Sequence, residues 1–382
     1  MVSPMKKIAI VGSGLTGASA ARSLIDAGCD VTVFEALPTS GGMTKCDRIS
    51  GVIYEVNGPH LFHTQDEKIW ELVSELCQWV DYRHRILADP FNISARSDTP
   101  LNLTENLFSW PLQVNELESL PQWSQIRNEL SSRPREPSRN SFATFCIDLV
   151  GPTLFDLFIG PYTKKQWGMA PDEIGAEWAP KRIELRTNRN LESFKDPYQG
   201  WPVGGYENLI GPMLAGSKLL LSEKTSITSH DWQGFDGVVL TCALDEFMDF
   251  SFGRLPWRGT RFEHQFFDEV NGTLLQAAAM NYPSADVAFT RKTEPKWYSG
   301  ESSVPGTVIT TEYPGESDDR HYPIYDRAGV NRALSEKYKT LVETRMPTNV
   351  VMAGRLATYS YINMDQAIRQ GINGAKALLR TF

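Results

Sequence analysis

The chain has 382 residues, of which 41% are hydrophobic and 22% are charged, and its formal net charge is −8. This length exceeds the size at which one hydrophobic core usually stops growing, so we expect two or three packed units. The negative charge excludes a general binder of nucleic acid or of anionic membranes, because such partners require a basic surface. No apolar run reaches the roughly 20 residues that span a bilayer, so we expect no membrane insertion.

The N-terminus and the cysteines both indicate a cytoplasmic protein. The apolar run at residues 8–11 is too short for a signal peptide and leads directly into glycines. The five cysteines are scattered and lack the spacing of a metal site or of a disulfide framework. We therefore predict a cytoplasmic enzyme with reduced thiols and without a metal centre.

A glycine-rich turn follows the first predicted strand. Residues 6–11 are apolar enough for a buried parallel strand, and a predicted helix to about residue 27 comes after the turn. Gly12 allows the tight turn, Gly14 lets the backbone approach a pyrophosphate, and Gly17 allows close packing of helix on strand. The helix N-terminus supplies partial positive charge. We predict that a dinucleotide contacts Gly12, Gly14, Leu15, Thr16 and Gly17.

A second predicted strand, residues 31–35, ends in an acidic side chain. Glu35 is placed to accept hydrogen bonds from a ribose 2′-hydroxyl, and it disfavours a 2′-phosphate, so NADP is the least favoured ligand. Gly41 and Gly42 follow, where the backbone must pass close to the cofactor. Plain NAD dehydrogenases usually lack this second glycine pair, so the sequence predicts FAD. The expected contacts here are Glu35, Ala36, Gly42 and Met43.

The rest of the chain alternates between helical and extended patterns. Helices are predicted at residues 66–85, 117–130, 142–158 and 364–379, and strands at 237–241, 286–291, 306–312 and 349–355. Much of the segment 88–141 is rich in Pro, Ser and Asn, which indicates loops. The terminal strand, glycine and helix are expected to rejoin the N-terminal sheet.

A series of short motifs extends from residue 58 to residue 366. They are residues 58–64 (GPHLFHT), 161–168 (PYTKKQWG), 198–206 (YQGWPVGGY), 252–258 (FGRLPWR), 290–294 (TRKTE), 312–314 (EYP) and 354–366 (GRLATYSYINMDQ). In content and order these motifs resemble those of the UDP-galactopyranose mutase family. The resemblance covers nearly the whole chain, and the ordered set is far more specific than any single motif.

The resemblance implies an α/β fold: a Rossmann-like FAD-binding domain with an inserted helical bundle and a twisted antiparallel β-sheet domain. The FAD domain is expected at residues 1–65, 203–247 and 348–382. The mainly helical domain is expected at 66–185, with a mobile lid at about 167–186, and the substrate-binding sheet at 186–202 and 248–347. A nucleotide sugar would lie in the cleft between them, and family members often form homodimers or higher homo-oligomers.

The resemblance also implies a redox-neutral isomerase that interconverts pyranose and furanose forms of a nucleotide-diphosphate sugar, such as UDP-galactose, for cell-surface polysaccharide. In the family, N5 of the reduced flavin attacks the anomeric carbon, and a flavin–sugar iminium lets the ring open and reclose. NADH or NADPH is the expected reductant. The alternative is an FAD-dependent oxidoreductase that acts on a nucleotide sugar or another small molecule and changes its oxidation state.

Several motif residues match the family's site. A departing diphosphate favours bidentate arginine, and Arg186 and Arg291 match the family's two diphosphate-binding arginines. With His63, beside the flavin ring, they are the expected catalytic residues. The other expected substrate contacts are Phe158, which would stack on the base, and Tyr162, Thr163, Trp167, Tyr198, Tyr322, Tyr361 and Asn363. The other expected flavin contacts are His60, Leu61, His63, Gly354, Arg355, Tyr361 and Met364.

The chain departs from the family's pattern on the substrate side. Residues 187–193 lack the family's acidic and aromatic residues and include Arg189, while Asn363 stands where an aspartate is usual. Residues 112–114 also differ from the family's pattern. The motifs on the flavin side are intact. We therefore expect the mutase chemistry to be retained, with a sugar or base that differs from UDP-galactose.

Overall fold

The computed structural model describes residues 5–94, 106–176, 183–268, 270–315 and 318–382. The strands in these ranges are β1 (Lys7–Val11), β2 (Asp30–Phe34), β3 (Cys46–Ile49), β4 (Val52–Glu55), β5 (Phe62–Thr64), β6 (Trp79–Asp81), β7 (Ile86–Ala88), β8 (Phe108–Trp110), β9 (Leu112–Gln113), β10 (Leu185–Arg186), β11 (Tyr198–Pro202), β12 (Lys218–Leu220), β13 (Gly237–Leu240), β14 (Trp257–Arg258), β15 (Thr260–Phe267), β16 (Ala279–Asn281), β17 (Arg291–Thr293), β18 (Thr307–Pro314), β19 (Tyr322–Pro323) and β20 (Asn349–Met352). The helices are α1 (Leu15–Asp26), α2 (Glu67–Leu76), α3 (Val114–Leu117), α4 (Trp123–Ser131), α5 (Phe142–Val150), α6 (Pro152–Leu154), α7 (Gly160–Trp167), α8 (Glu207–Leu214), α9 (Leu244–Phe247), α10 (Val330–Arg345), α11 (Gly354–Thr358) and α12 (Met364–Leu379).

A five-stranded parallel sheet carries the glycine-rich turn, in the order β12–β2–β1–β13–β20. Ile8 and Ile10 face one apolar cluster with helices α1 and α12, while Ala9 and Val11 face a second cluster with helix α10. Successive strand residues point to opposite faces, so burial of all four requires helices on both sides of the sheet. The predicted Rossmann-like α/β class is confirmed, and the terminal strand and helix rejoin this sheet as predicted.

Gly17 packs directly against the turn that precedes it. A Cβ at Gly17 would lie 1.8 Å from the carbonyl oxygen of Gly12, and Gly12 itself has a φ of +102°. We expect Gly17→Ala to displace helix α1 from the turn and to abolish flavin binding, measured as the flavin absorbance of purified protein relative to its protein absorbance. Gly211→Ala is the control, since a Cβ there meets nothing within 4 Å. Full flavin content in the Gly17 variant would contradict this prediction.

Helices α3 to α7 surround an apolar core that includes Phe142, Phe145 and Leu154. The single helix predicted at 142–158 is wrong, because Gly151, with a φ of +88°, ends α5 and a π-helical turn, Phe155–Ile159, follows α6. No single helix in the described ranges is long and apolar enough to cross a membrane; Phe142–Val150 and Pro152–Trp167 pass that test only as a pair bent by 120°.

A six-stranded sheet forms the second large layer, in the order β15–β18–β17–β16–β7–β8. Its neighbours are antiparallel except β16 and β7, which pair in parallel, so the sheet is mixed rather than purely antiparallel. Strands β7 and β8 come from the segment assigned to the helical domain. They join the sheet because Ile86–Ala88 pairs with Ala279–Asn281, far along the chain.

Two local predictions are also wrong. The helix predicted at 66–85 ends at Leu76, because β6 then pairs with β11. The strand predicted at 286–291 is a loop up to Thr290, and only Arg291 belongs to β17. In both segments contacts with distant parts of the chain override the local pattern.

Candidate active site

The N-terminus of α1 provides a cradle for phosphate. Gly14 is the N-cap residue and has no side chain that could accept hydrogen bonds from the first N–H groups of the helix. Those N–H groups can therefore bind a ligand. A bridge joins Gly14 to Gly41, and a Cβ at Gly42 would lie 3.3 Å from the Cα of Gly14. A side chain at Gly42 would therefore narrow the path that the cofactor must follow.

Glu35 lies at the end of β2 beside this turn and is 7% exposed. Its carboxylate accepts hydrogen bonds from the backbone N–H and hydroxyl of Ser13, at 2.8 and 2.6 Å, and from the N–H of Leu37 at 2.9 Å. A carboxylate offers about four acceptor positions, so one remains for a ribose hydroxyl. The turn and Glu35 thus fit the pyrophosphate and ribose of FAD.

The turn that contains His60 is hydrogen-bonded to a buried carboxyl group. Glu55 accepts the backbone N–H of His60 at 2.7 Å and the hydroxyl of Tyr298 at 2.5 Å, and burial raises the pKa of Glu55 to about 7. Burial and the nearby Arg355 lower the pKa of His60 to about 4. The ring is therefore neutral, and its Nδ1–H donates to the carbonyl of Gly58 at 2.8 Å. Nε2 is left as the acceptor.

His63 lies on β5, opposite Gln199 of β11. Its ring stacks on Phe194, with centroids 3.7 Å apart and planes inclined by 13°. Its Nδ1 forms a hydrogen bond with the carboxylate of Asp196. Asp196 therefore favours the tautomer with a proton on Nδ1 and a lone pair on Nε2.

Arg291 lies at the centre of the six-stranded sheet, where it is paired with Asn281 on β16 and Glu312 on β18. Its Nε donates to Asn281 Oδ1 at 3.1 Å, and Nη2 donates to the Tyr162 hydroxyl at 3.3 Å. Nη1 is 3.8 Å from the Glu312 carboxylate. Burial raises the pKa of Glu312, and the positive charge of Arg291 opposes part of this rise. The Arg291 side chain is 26% exposed, so part of the guanidinium remains open to a ligand.

Aromatic rings line the space beside Arg291. Tyr322 and Tyr361 stack with centroids 5.7 Å apart, and Trp167 meets Tyr322 edge-on at 6.0 Å. The guanidinium of Arg355 lies 4.8 Å from the centroid of the Tyr361 ring. Burial and the neighbouring Tyr361 raise the pKa of Tyr322, so its hydroxyl keeps its proton and can donate to an anion. The predicted residues brought together are Tyr162, Trp167, Arg291, Tyr322, Arg355 and Tyr361.

Two family models match this chain, one over the dinucleotide-binding turn and the other over the tyrosine-lined arginine. Residues 157–361 match the family model for UDP-galactopyranose mutase, and residues 10–76 match the model for an NAD(P)-binding Rossmann-like domain. A probable UDP-galactopyranose mutase of Klebsiella pneumoniae is 31% identical over 379 residues, which cover 98% of this chain and 95% of that protein. The chain belongs to the UDP-galactopyranose mutase family.

A second relative shows that the substrate varies among similar chains. A dTDP-fucopyranose mutase of Escherichia coli is 29% identical over 387 residues, which cover 98% of this chain and 99% of that protein. A crystal structure of reduced UDP-galactopyranose mutase has the same fold, with a TM-score of 0.78, 17% identity and coverage of 99% and 96% of the two chains. The mutase family is FAD-dependent, and the chain is an isomerase of this type. The resemblance drawn from the motifs is confirmed.

The remaining predicted residues differ in how exposed they are. The predicted cofactor contacts Leu15, Thr16, Leu61 and Gly354 are buried, Met43 and Met364 are half-buried, and Ala36 is exposed. Thr163 is 5% exposed beside Tyr162. Asn363 is the N-cap residue of α12, and its backbone N–H donates to Gln366 Oε1 at 3.0 Å.

Two predicted substrate contacts pack against other aromatic rings. Phe158 lies in the π-helical turn, is 2% exposed and packs edge-on against Phe108 in the helical core, and its expected base stacking stays a prediction. Tyr198 stacks on Trp70 of α2 at 5.7 Å. It lies opposite Thr64, one position from His63, so Tyr198 and His63 point to opposite faces of the sheet, and the substrate contact of Tyr198 stays a prediction.

Arg186 is buried and binds groups of its own loop. It is 4% exposed; its Nε donates to Glu184 at 2.9 Å, and its Nη1 donates to the carbonyls of Asn190 and Glu192 at 3.2 and 2.5 Å. None of these groups is a hydrogen-bond partner of Arg291. Joint binding of a diphosphate by Arg186 and Arg291 stays a prediction. Residues 177–182 of the predicted lid lie outside the described ranges.

The motifs did not indicate several residues that complete the site. His84 is 5% exposed, and within the described part of the chain its buried Nδ1 has no hydrogen-bond partner. Burial and the nearby Arg291 and His63 lower its pKa to about 3, so it is neutral. Asn281 and Asp196 were also missed, and Glu312 lay in a family motif without a predicted role. His84 lies in a segment that resembled a helix, and strand register brings Asn281 and Glu312 to Arg291, so local sequence did not indicate these contacts.

Proposed function

We propose that the enzyme interconverts the pyranose and furanose forms of a nucleoside-diphosphate sugar, with Arg291 as the main anchor of the diphosphate. Arg291 supports this most directly, because its side chain is partly open, its hydrogen bonds go to the neutral groups of Asn281 and Tyr162, and its contact with the Glu312 carboxylate is long, at 3.8 Å. Such a cation is available to a ligand, whereas an arginine in a tight ion pair is not. An anionic substrate in an acidic protein requires a local positive site of this kind.

Reduced FAD, when bound, supplies the nucleophile for the anomeric carbon. The protein must then stabilise the nucleoside diphosphate as it leaves and gathers negative charge on one oxygen. Arg291 is already oriented by Asn281, and the hydroxyls of Tyr162, Tyr322 and Tyr361 can donate hydrogen bonds to the same anion. Groups that need not reorient as charge develops typically contribute about a hundredfold to a thousandfold each.

Opening and reclosing of the sugar ring require protons to move between hydroxyl groups, and we assign this role to His63. In the tautomer set by Asp196, Nε2 of His63 has a lone pair that can take a proton. Asp196→Asn should leave the ring stacked on Phe194, but the amide can donate to Nδ1 as well as accept from it, so this tautomer is no longer fixed. We expect kcat to fall about tenfold to a hundredfold with little change in KM. Asp81→Asn, at a carboxylate that is 86% exposed, is the control; equal kcat in both variants would contradict this role.

We further propose that the sugar or the base differs from UDP-galactose. Ser193 occupies a position where the family has an aromatic residue, and its N–H donates to the carbonyl of His84 at 2.7 Å. Residues 187–190 form an exposed turn whose Asn190 carbonyl is bound by Gln113 at 2.5 Å. These differences change the polarity of a loop that contacts His84. The dTDP-fucopyranose mutase relative supports an open choice of sugar and base.

Reductive trapping tests the proposal. The holoenzyme is reduced with dithionite, incubated with UDP-galactopyranose or dTDP-fucopyranose and treated with cyanoborohydride, and the flavin is analysed by mass spectrometry. A flavin that has gained the mass of one sugar, together with furanose product, supports the mutase. Unaltered flavin with every nucleotide sugar would reject it, as would a product of changed oxidation state. If UDP-galactopyranose reacts as efficiently as every alternative, the proposed change of substrate is wrong.

We propose NADH or NADPH as the reductant and a homodimer or higher homo-oligomer as the assembled state, both by analogy with the family. Anaerobic bleaching of the flavin by each nicotinamide tests the first proposal. Light scattering of the purified enzyme tests the second, and a monomer at micromolar concentration would reject it.

A further inference from the structure

Lys165, on helix α7, binds the loop between strands β16 and β17 through its carbonyl groups. Its Nζ lies 2.6 Å from the carbonyl oxygens of Tyr282 and Ser284, 3.2 Å from that of Val287 and 2.9 Å from that of Phe289. An ammonium has three N–H donors, so one donor is shared between two acceptors. One side chain thus binds both ends and the middle of the loop.

This loop joins two residues of the proposed diphosphate site. Strand β16 ends at Asn281 and strand β17 begins at Arg291, and these two residues lie opposite each other and share a hydrogen bond of 3.1 Å. Residues 282–290 are the connection between them and contain no helix or strand. Such a connection has many conformations unless other contacts restrain it. Lys165 supplies that restraint from another part of the fold.

Helix α7 also contacts the end of the hairpin directly. Tyr162 lies one turn before Lys165 on the same helix, and its hydroxyl accepts a hydrogen bond from Arg291 at 3.3 Å. The C-terminal end of the helix is fixed by Arg258, which donates to the carbonyls of Lys165 and Gln166 at 2.9 and 3.0 Å. Helix α7 therefore contacts the hairpin of β16 and β17 at two points, its loop through Lys165 and Arg291 through Tyr162.

We propose that Lys165 is a positioning residue for substrate binding, which holds the 282–290 loop so that Arg291 and Tyr162 meet the diphosphate as one preorganised unit. The proposal rests on the proposed function, because it takes Arg291 as the diphosphate anchor. Burial lowers the pKa of Lys165 to about 8, so the ammonium is still mostly protonated at pH 7. A neutral side chain of similar length would fill the space without binding the four carbonyls.

The test compares Lys165→Met with Lys164→Met, which removes the neighbouring exposed lysine of the same helix. In the FAD-loaded enzyme we expect Lys165→Met to raise KM and the dissociation constant of UDP and dTDP about tenfold to a hundredfold, since misplaced binding groups lose affinity. We also expect kcat to fall, by less than in an Arg291 variant because Arg291 keeps its hydrogen bond to Asn281, and hydrogen exchange at residues 282–290 to be faster. Lys165→Arg, which keeps a charged donor, should restore part of the affinity, and Lys164→Met should behave as wild type.

Unchanged KM, nucleotide affinity and hydrogen exchange in Lys165→Met would overturn the proposal, and so would a fall in kcat alone. If the methionine variant does not fold, Lys165→Gln, which keeps two N–H donors, is measured in the same way. Failure of the proposed function has a different signature: the wild-type enzyme would neither turn over nucleotide sugars nor bind UDP or dTDP. Hydrogen exchange of the ligand-free protein would then still decide whether Lys165 orders the loop.

Discussion

Arg291→Ala is expected to lower kcat/KM by about a hundredfold to a thousandfold while leaving FAD bound. The side chain lies on the six-stranded sheet, and its hydrogen bonds go to Asn281 and Tyr162 rather than to the glycine-rich turn. Its loss removes a fixed positive charge from the proposed position of the leaving diphosphate, where such groups have their largest effect. Turnover of the reduced enzyme and flavin content are measured on the same preparation.

Arg261→Ala is the matched control for Arg291→Ala. It removes an arginine from the same sheet, where the guanidinium pairs with Glu263 at 2.6 Å and the side chain is 38% exposed. Arg291→Lys separates charge from shape, because lysine keeps the charge but loses the planar fork that binds phosphate oxygens in pairs. We expect the lysine variant to retain intermediate activity. Loss of FAD in Arg291→Ala would show that the residue supports the cofactor instead.

The elements that could be predicted from the sequence are those with a strong local pattern. The last helix was predicted at 364–379 and is observed at Met364–Leu379, and the first strand and helix agree within one or two residues. Strand β6 could not be predicted in this way, because it exists only through its pairing with Trp201 and its neighbours. Local periodicity extended the preceding helix across it.

The candidate site was predictable where motif residues also lie close together in the fold. Tyr162, Tyr322 and Tyr361 lie beside Arg291 and meet this condition. The direction of Tyr198 depends on the register of β11 with β5, where a shift by one residue exchanges the two faces. His84 was missed for a related reason, since it becomes a neighbour of Arg291 only after the sheets have formed.

Arg186→Ala is expected to lower the free energy of unfolding by about 3 kcal/mol, an effect on stability rather than on the chemical step. The substitution leaves the carbonyls of Asn190 and Glu192 without this buried donor. The ion pair with Glu184 contributes less, because that carboxylate is 35% exposed. Lys195→Ala removes the other cation beside Glu184, at a side chain that is 63% exposed, and should cost less than about 0.5 kcal/mol. Urea denaturation measures both.

Turnover of the Arg186→Ala variant decides whether this arginine of the lid segment serves catalysis. Arg186→Ala should reduce stability, with kcat of the folded fraction within about tenfold of wild type. The reverse result, a stable but inactive Arg186 variant, would mean that the loop opens and delivers Arg186 to the diphosphate during turnover.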